Sequence, residues 1–237
     1  MKKTLILAAF SLGLSVVASA ATVFTSTDEY DLSSPTSITD SALSGLIKPG
    51  TDPGTGTIMM WVNLSQLPAD GAALFGVACG TSANGLNGWG VRVNADGSLQ
   101  MGRESVGGAN LNQVGQVGNG AAWSELSSSS ASITAGEWFH VTVSSTGGRG
   151  SSNFTLYING VQVATSNGFG LNGNSFNNLF LGSSLNGSVS GLTVDGTVLD
   201  ANAIQQIMAN TNPTPEPATA SLSLLGLAAL MMRRRRA

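Results

Sequence analysis

The chain of 237 residues carries 31 glycines and only 10% charged residues, so it is a turn-rich, all-β composition poor in the Glu, Lys and Arg that favour helix. Lys2, Lys3 and Arg233 to Arg236 sit at the two ends, leaving residues 21–212 with four bases (Lys48, Arg92, Arg103, Arg149) against twelve acids, a balance of −8. That excludes nucleic acid as a partner, because phosphates require a basic surface, and the single Cys79 excludes an internal disulfide, so the core alone must hold the fold.

Met1 to Ala20 has the three parts of a secretory signal: Lys2 and Lys3, an apolar stretch from Leu5 to Val17, and the small-residue site Ala18-Ser19-Ala20 for signal peptidase. The mature domain is expected over residues 21–210, the size of one β-sandwich. Ala21 to Ser26 predicts an edge strand. It is followed by the acidic Asp28-Glu29-Tyr30-Asp31 and a polar loop closing on Pro49 to Gly54. Thr57 to Asn63 is almost continuously apolar, which predicts a strand buried on both sides. Ala72 to Cys79 predicts another, with Cys79 as a small buried hydrophobe.

Gly88 to Asn94 alternates, and Ala95-Asp96-Gly97 turns it into Ser98 to Arg103, which predicts a hairpin. Gly107 to Ser132 is Gly, Asn and Ser with weak strand signals, including Ser127 to Ser130, and so predicts a long loop, either functional or mobile.

Glu137 to Val143 and Phe154 to Gly160 each alternate with period two. Phe139, Val141 and Val143 share one face, as do Phe154, Leu156 and Ile158, so both runs are expected as half-buried strands. The link between them is too short for a crossover helix, which makes them antiparallel neighbours. Asn159-Gly160 turns the second into Val161 to Ala164, completing a meander at the middle of the fold. Asn178 to Gly182 and Gly187 to Val194 predict two more strands. Asp200 then caps a short helix with Ala203, Ile204, Ile207 and Met208 on one face.

Residues 211–237 are a tail rather than domain material. Thr211 to Pro217 is a proline-stiffened linker, Ala218 to Met232 is apolar and uncharged, and Arg233 to Arg236 follow. As a helix the apolar run would span about 22 Å against roughly 30 Å of bilayer core, a marginal membrane anchor with its arginines on the cytoplasmic side.

Pro215-Glu216-Pro217, the apolar run and the cluster Arg233, Arg234, Arg235 and Arg236 together closely resemble the PEP-CTERM sorting signal of Gram-negative bacteria. The resemblance implies an exosortase-type processing enzyme as partner and transient anchoring in the inner membrane. Delivery to the cell envelope, its outer surface or an exopolysaccharide matrix would follow. The middle resembles the LamG-like, concanavalin A-like jelly roll. The carriers are Ile58 to Val62, Gly136 to Val143, Leu156 to Val161, Phe180-Leu181-Gly182, Leu185-Asn186-Gly187 and Leu199 to Ile204. That implies an all-β sandwich with a short C-terminal helix, in a family whose members variously bind glycans, bind proteins or only pack.

His140 is the sole histidine, so any nucleophile–histidine chemistry would have to use it. Its strand position beside Trp138 and Thr142 favours a hydrogen-bonded structural role. Zinc is unsupported, since one His and one Cys supply no ligand set. Jelly-roll glycosidases use carboxylates alternating along one strand. The nearest pattern here, Glu29-Tyr30-Asp31, lacks a third acid at Ser33 and is better taken as a solvated edge. Gly168 to Gly173 fits G-x-G-x-x-G, but no helix follows, so it is not a nucleotide site. Calcium could draw on Asp96, Asp195 or loop carbonyls; no spacing assigns it, and no other cofactor is implied.

Aromatic faces stack on sugar rings and nearby donors fix hydroxyls, which makes Trp123, Trp138, Tyr157 and Arg92 the candidate ligand-binding residues, with His140 and Trp89 behind them. Core packing is the competing role for Trp61, Trp89 and Trp138. The resulting expectation is an exported, non-catalytic protein whose jelly roll binds carbohydrate or matrix. The alternatives are a structural envelope protein without a soluble ligand and, more remotely, a glycan-cleaving enzyme.

Overall fold

The period-two runs become the strands of two stacked antiparallel sheets. The computed structural model describes residues 22–34, 36–38, 56–79, 86–106, 122–146, 152–169, 176–182 and 184–213. The strands are β1 (Thr22–Thr25), β2 (Tyr30–Asp31), β3 (Thr36–Ile38), β4 (Gly56–Leu64), β5 (Ala72–Cys79), β6 (Leu86–Val93) and β7 (Ser98–Val106). They continue with β8 (Ala122–Ser132), β9 (Trp138–Thr146), β10 (Ser152–Ile158), β11 (Val161–Phe169), β12 (Phe176–Leu181) and β13 (Gly187–Asp195), and one helix, α1 (Ala201–Asn210), closes the described chain. One sheet runs β1-β13-β4-β9-β10-β11, with β2 also on β13; the other runs β3-β12-β5-β6-β7-β8.

The inner faces interdigitate. Ile58, Met60 and Val62 of β4, Phe139, Val141 and Val143 of β9, and Phe154 and Leu156 of β10 meet Phe75, Val77, Trp89, Val91, Leu99 and Met101 of the other sheet, all buried. Trp89 sits at the centre. Its ring lies 4.8 Å from that of Phe154 and 5.9 Å from that of Phe75, so a side chain considered for ligand contact belongs to the core.

The prediction that β4 is buried on both sides holds, and β9 proves to be the same: His140, Thr142 and Ser144, expected on a wetter face, are buried as well. The reason is α1. Met59, Leu199 and Ile204 form a second small core on the outer face of the first sheet, joined by Tyr157, Ala203 and Ile207. The Trp61 indole N–H, on the same outer face of β4, donates to the Met208 carbonyl at 3.2 Å. Asp200 caps the helix as expected, its carboxylate accepting from the Ala203 amide at 2.8 Å.

Two expectations change. The β9–β10–β11 meander exists and is antiparallel as expected, but it forms one flank of its sheet, with β11 outermost, rather than the middle of the fold. Within the predicted long loop, Ala122 to Ser132 forms β8, paired to β7 at the edge of the second sheet. Trp123 is therefore a strand position opposite Glu104.

Residues 1–21 and 214–237, which carry the signal and sorting segments, lie outside the described residues, as does most of the predicted loop before Thr57. Among the described residues no helix is long and apolar enough to cross a membrane.

Candidate functional site

At one side of the sandwich the chain passes from the first sheet to the second, and the passage leaves a groove. β1 and β2 both pair with β13, whereas β3 pairs with β12. Between them Leu32 is fully buried, its amide donating to the Gly187 carbonyl at 3.0 Å and its carbonyl accepting from the Leu185 amide at 3.2 Å. Gly182 makes this close passage feasible. It adopts φ +72°, and a Cβ there would lie 2.8 Å from the Leu32 backbone.

The turn between β1 and β2 is tied to itself. The Ser26 amide donates to the Leu192 carbonyl at 2.9 Å, and its buried hydroxyl oxygen accepts from the Asp28 amide at 3.1 Å and from the Tyr30 hydroxyl at 2.8 Å. The Tyr30 and Phe24 rings are half-buried against the main core, which leaves part of each exposed on fixed backbone.

Together these elements bound an open groove of about 450 Å³. Phe24, Tyr30 and Ile38 supply apolar surface; Thr25, Ser26, Thr36 and Ser37 supply hydroxyls; Asp28 supplies a carboxylate. The volume falls in the range of small-ligand sites, which combine apolar walls with a few placed polar groups. Just outside, Asp31 accepts from the Ser33 amide at 2.8 Å, and bonding to Ser33 holds its carboxyl below the usual carboxylate range.

The four candidate residues chosen from sequence are distributed over both sheets. Trp138 and Tyr157 lie on the first, half-buried. Tyr157 packs against the small core under α1, so part of its ring is already engaged. Arg92 lies on β6 of the second sheet, half-buried, its Nη2 donating to the Gly71 carbonyl at 3.0 Å. Trp123 is on β8, and its side chain is not among those described. Of these, the described Trp138, Tyr157 and Arg92 do not line the groove. Its residues come from a stretch whose sequence signal was an edge strand followed by an acidic run; Tyr30 between Glu29 and Asp31, with Phe24 nearby, was the available hint.

His140 is sealed beneath the helix. It is fully buried, its Nδ1 lies 3.2 Å from the Thr142 hydroxyl, Nε2 has no hydrogen-bond partner, and the Trp61 ring meets it edge-on at 5.1 Å. Burial pushes its pKa down to about 4, so the ring is neutral at pH 7, and a substrate has no access to it.

Among the described residues no group of three or more His, Cys, Asp and Glu is placed to hold a metal ion. Asp96 and Asp195, the calcium candidates, each accept hydrogen bonds locally: Asp96 from the Ser98 amide and hydroxyl at 2.9 and 2.7 Å, Asp195 from the Thr197 amide and hydroxyl at 2.8 and 2.7 Å.

Residues 36–205 match the family model described as the concanavalin A-like lectin/glucanases superfamily, of the laminin G type. The chain belongs to that superfamily. Strands β1 and β2 and the turn between them, which supply five of the eight groove residues, precede the matched segment. No curated protein matches the sequence. Among solved structures, the CBM40 module of Ruminococcus gnavus IT-sialidase bound to α2,6-sialyllactose is similar with a TM-score of 0.50 and 16% identity, over 79% of this chain and 99% of that one. The Limulus polyphemus SAP-like pentraxin matches at a TM-score of 0.44 and 17% identity, over 79% of this chain and 87% of that one. Trypanosoma rangeli sialidase with the inhibitor DANA matches at 0.43 and 15%, over 65% of this chain; this chain spans 22% of that enzyme's length. At these identities the likeness is one of fold.

Proposed function

We propose that this chain is an exported, non-catalytic, carbohydrate-binding protein of the cell surface or extracellular matrix, which holds its glycan in the groove between β1–β2 and β3. The observation that carries the reading is the composition of that groove: exposed parts of the Phe24 and Tyr30 rings beside four hydroxyl-bearing side chains and one carboxylate, in about 450 Å³. Partly exposed rings stack on the apolar faces of pyranoses, and hydroxyls exchange hydrogen bonds with theirs. Non-catalysis is supported by the carboxylate count. Glycoside hydrolysis uses a pair of acids across the scissile bond, and Asp28 is the one acid among the described residues lining the groove. The sole histidine is buried and neutral.

Export through the signal at residues 1–20 and sorting by the Pro215-Glu216-Pro217 tail with Arg233 to Arg236 complete the proposal. Signal peptidase and an exosortase-type enzyme are the processing partners, and the inner membrane is a transient station.

The test is a glycan array probed with the purified full chain and with Phe24→Ala and Tyr30→Ala. Saturable binding is expected, weakened about tenfold by either change, equivalent to about 1.4 kcal/mol of lost contact. A chain that circular dichroism shows to be folded and that binds no glycan would instead favour a purely structural envelope role.

A further inference from the structure

We infer that the groove selects uncharged glycans and rejects sugars bearing a carboxylate, such as sialic and uronic acids. The inference rests on the carbohydrate-binding reading above and deepens it. It follows from the sign of the groove's charge, one carboxylate and no base among the described lining residues, rather than from its shape.

Asp28 lines the groove, and the exposed Glu29 and Asp31 flank the same turn. No base lies among the described groove residues, and the sequence from Thr4 to Ile47 holds no Lys, Arg or His. Two of the groove's polar groups only accept. The Tyr30 hydroxyl hydrogen is spent on Ser26, so toward a ligand its oxygen accepts, as does the Asp28 carboxylate. A glycan carboxylate is acceptor-only and is normally held by Arg, Lys or a cluster of backbone N–H groups. Here it would meet the like charge of Asp28, with only the neutral hydroxyls of Thr25, Ser26, Thr36 and Ser37 and no cationic donor among the described groove residues to offset it. A neutral sugar brings hydroxyl donors to those same acceptors and loses nothing to repulsion.

The fold's likeness to a module bound to α2,6-sialyllactose makes this a discriminating statement, since that likeness reaches 16% identity and the groove is built partly from strands preceding the family segment. A shared jelly roll carries no shared ligand.

The experiment uses matched glycan pairs with the full chain: lactose against α2,6-sialyllactose, and cello-oligosaccharide against its C6-oxidised, uronate counterpart. The neutral member of each pair that binds is expected to bind tenfold or more tighter at low ionic strength. The ratio should shrink as salt screens the repulsion, and should shrink again in Asp28→Asn. Equal or tighter binding of the acidic members, with binding still lost in Tyr30→Ala, would overturn the charge selection and leave the carbohydrate site standing. Failure of every glycan to bind, or binding indifferent to both Phe24→Ala and Tyr30→Ala, would remove the site itself and this inference with it.

Discussion

A histidine whose ring is buried with one nitrogen unpartnered makes stability depend on pH in a definite direction. The folded-state pKa of His140 is about 4 against an ordinary 6.5, so the unfolded chain takes up the proton first as pH falls. Above about pH 6.5 the cost of charging the ring is absent; through the interval down to about 4 it grows, and below that it is constant. We therefore expect His140→Gln to be less acid-sensitive than the parent, the difference between pH 7 and about pH 4.5 narrowing by about 2 to 3 kcal/mol in urea titrations. Parallel pH profiles for the two proteins would show that the ring is not the titrating group. Its structural role could be anticipated from the alternating strand around it. The depth of its burial could not, because the covering groups, Trp61 and α1, come from 79 residues before and some 60 after it in the chain, and period-two patterning reports only the strand's own two faces. The same blindness hid the groove: Phe24, Tyr30 and Ser37 meet only through the pairing of two different sheets.

Elements with an internal signal were legible. The β6–β7 hairpin announced itself by alternation around Ala95-Asp96-Gly97, where Gly97 takes φ +79°, and α1 by Asp200 and the spacing of Ala203, Ile204 and Ile207. Strand β8 was not, because a run such as Ser127 to Ser130 carries no hydrophobic period, and its conformation is imposed by hydrogen bonding to β7 at the sheet edge. Short as it is, α1 is what converts the outer face of β4 and β9 from wet to dry. Ile204 is its one fully buried residue. Ile204→Ala should therefore cost about 2 to 4 kcal/mol, and Asp200→Ala about 1 kcal/mol through the lost cap. Both should raise the protection-loss rate of the Trp61 indole N–H in hydrogen exchange, since Met208 holds it. A destabilisation that left this indole as protected as before would mean that the helix is not the cover.

At the scale of the whole molecule, two sheets back to back could be foreseen from strand count and turn spacing, but the strand order could not. Neighbours such as β4 and β13 are separated by more than a hundred residues, and no local pattern encodes that pairing. What is organised over the full length is charge: the acidic middle is bracketed by Lys2 and Lys3 at one end and Arg233 to Arg236 at the other. If the tail sorts the protein as proposed, its arginines keep that end on the cytoplasmic side while the acidic domain is exported, and the apolar run Ala218 to Met232, only about 22 Å as a helix, holds weakly enough to be surrendered on cleavage. Expressed in a Gram-negative host without an exosortase, the full chain should fractionate with the inner membrane. Replacing Arg233 to Arg236 with glutamates should weaken that retention, and removing residues 214–237 should release a soluble periplasmic protein. With the processing enzyme present, alanines at Pro215-Glu216-Pro217 should trap the membrane form that the parent chain escapes. A tail-deleted chain that stayed in the membrane fraction would put the anchor elsewhere, whereas parent and alanine variants processed alike would leave an anchor but no sorting signal.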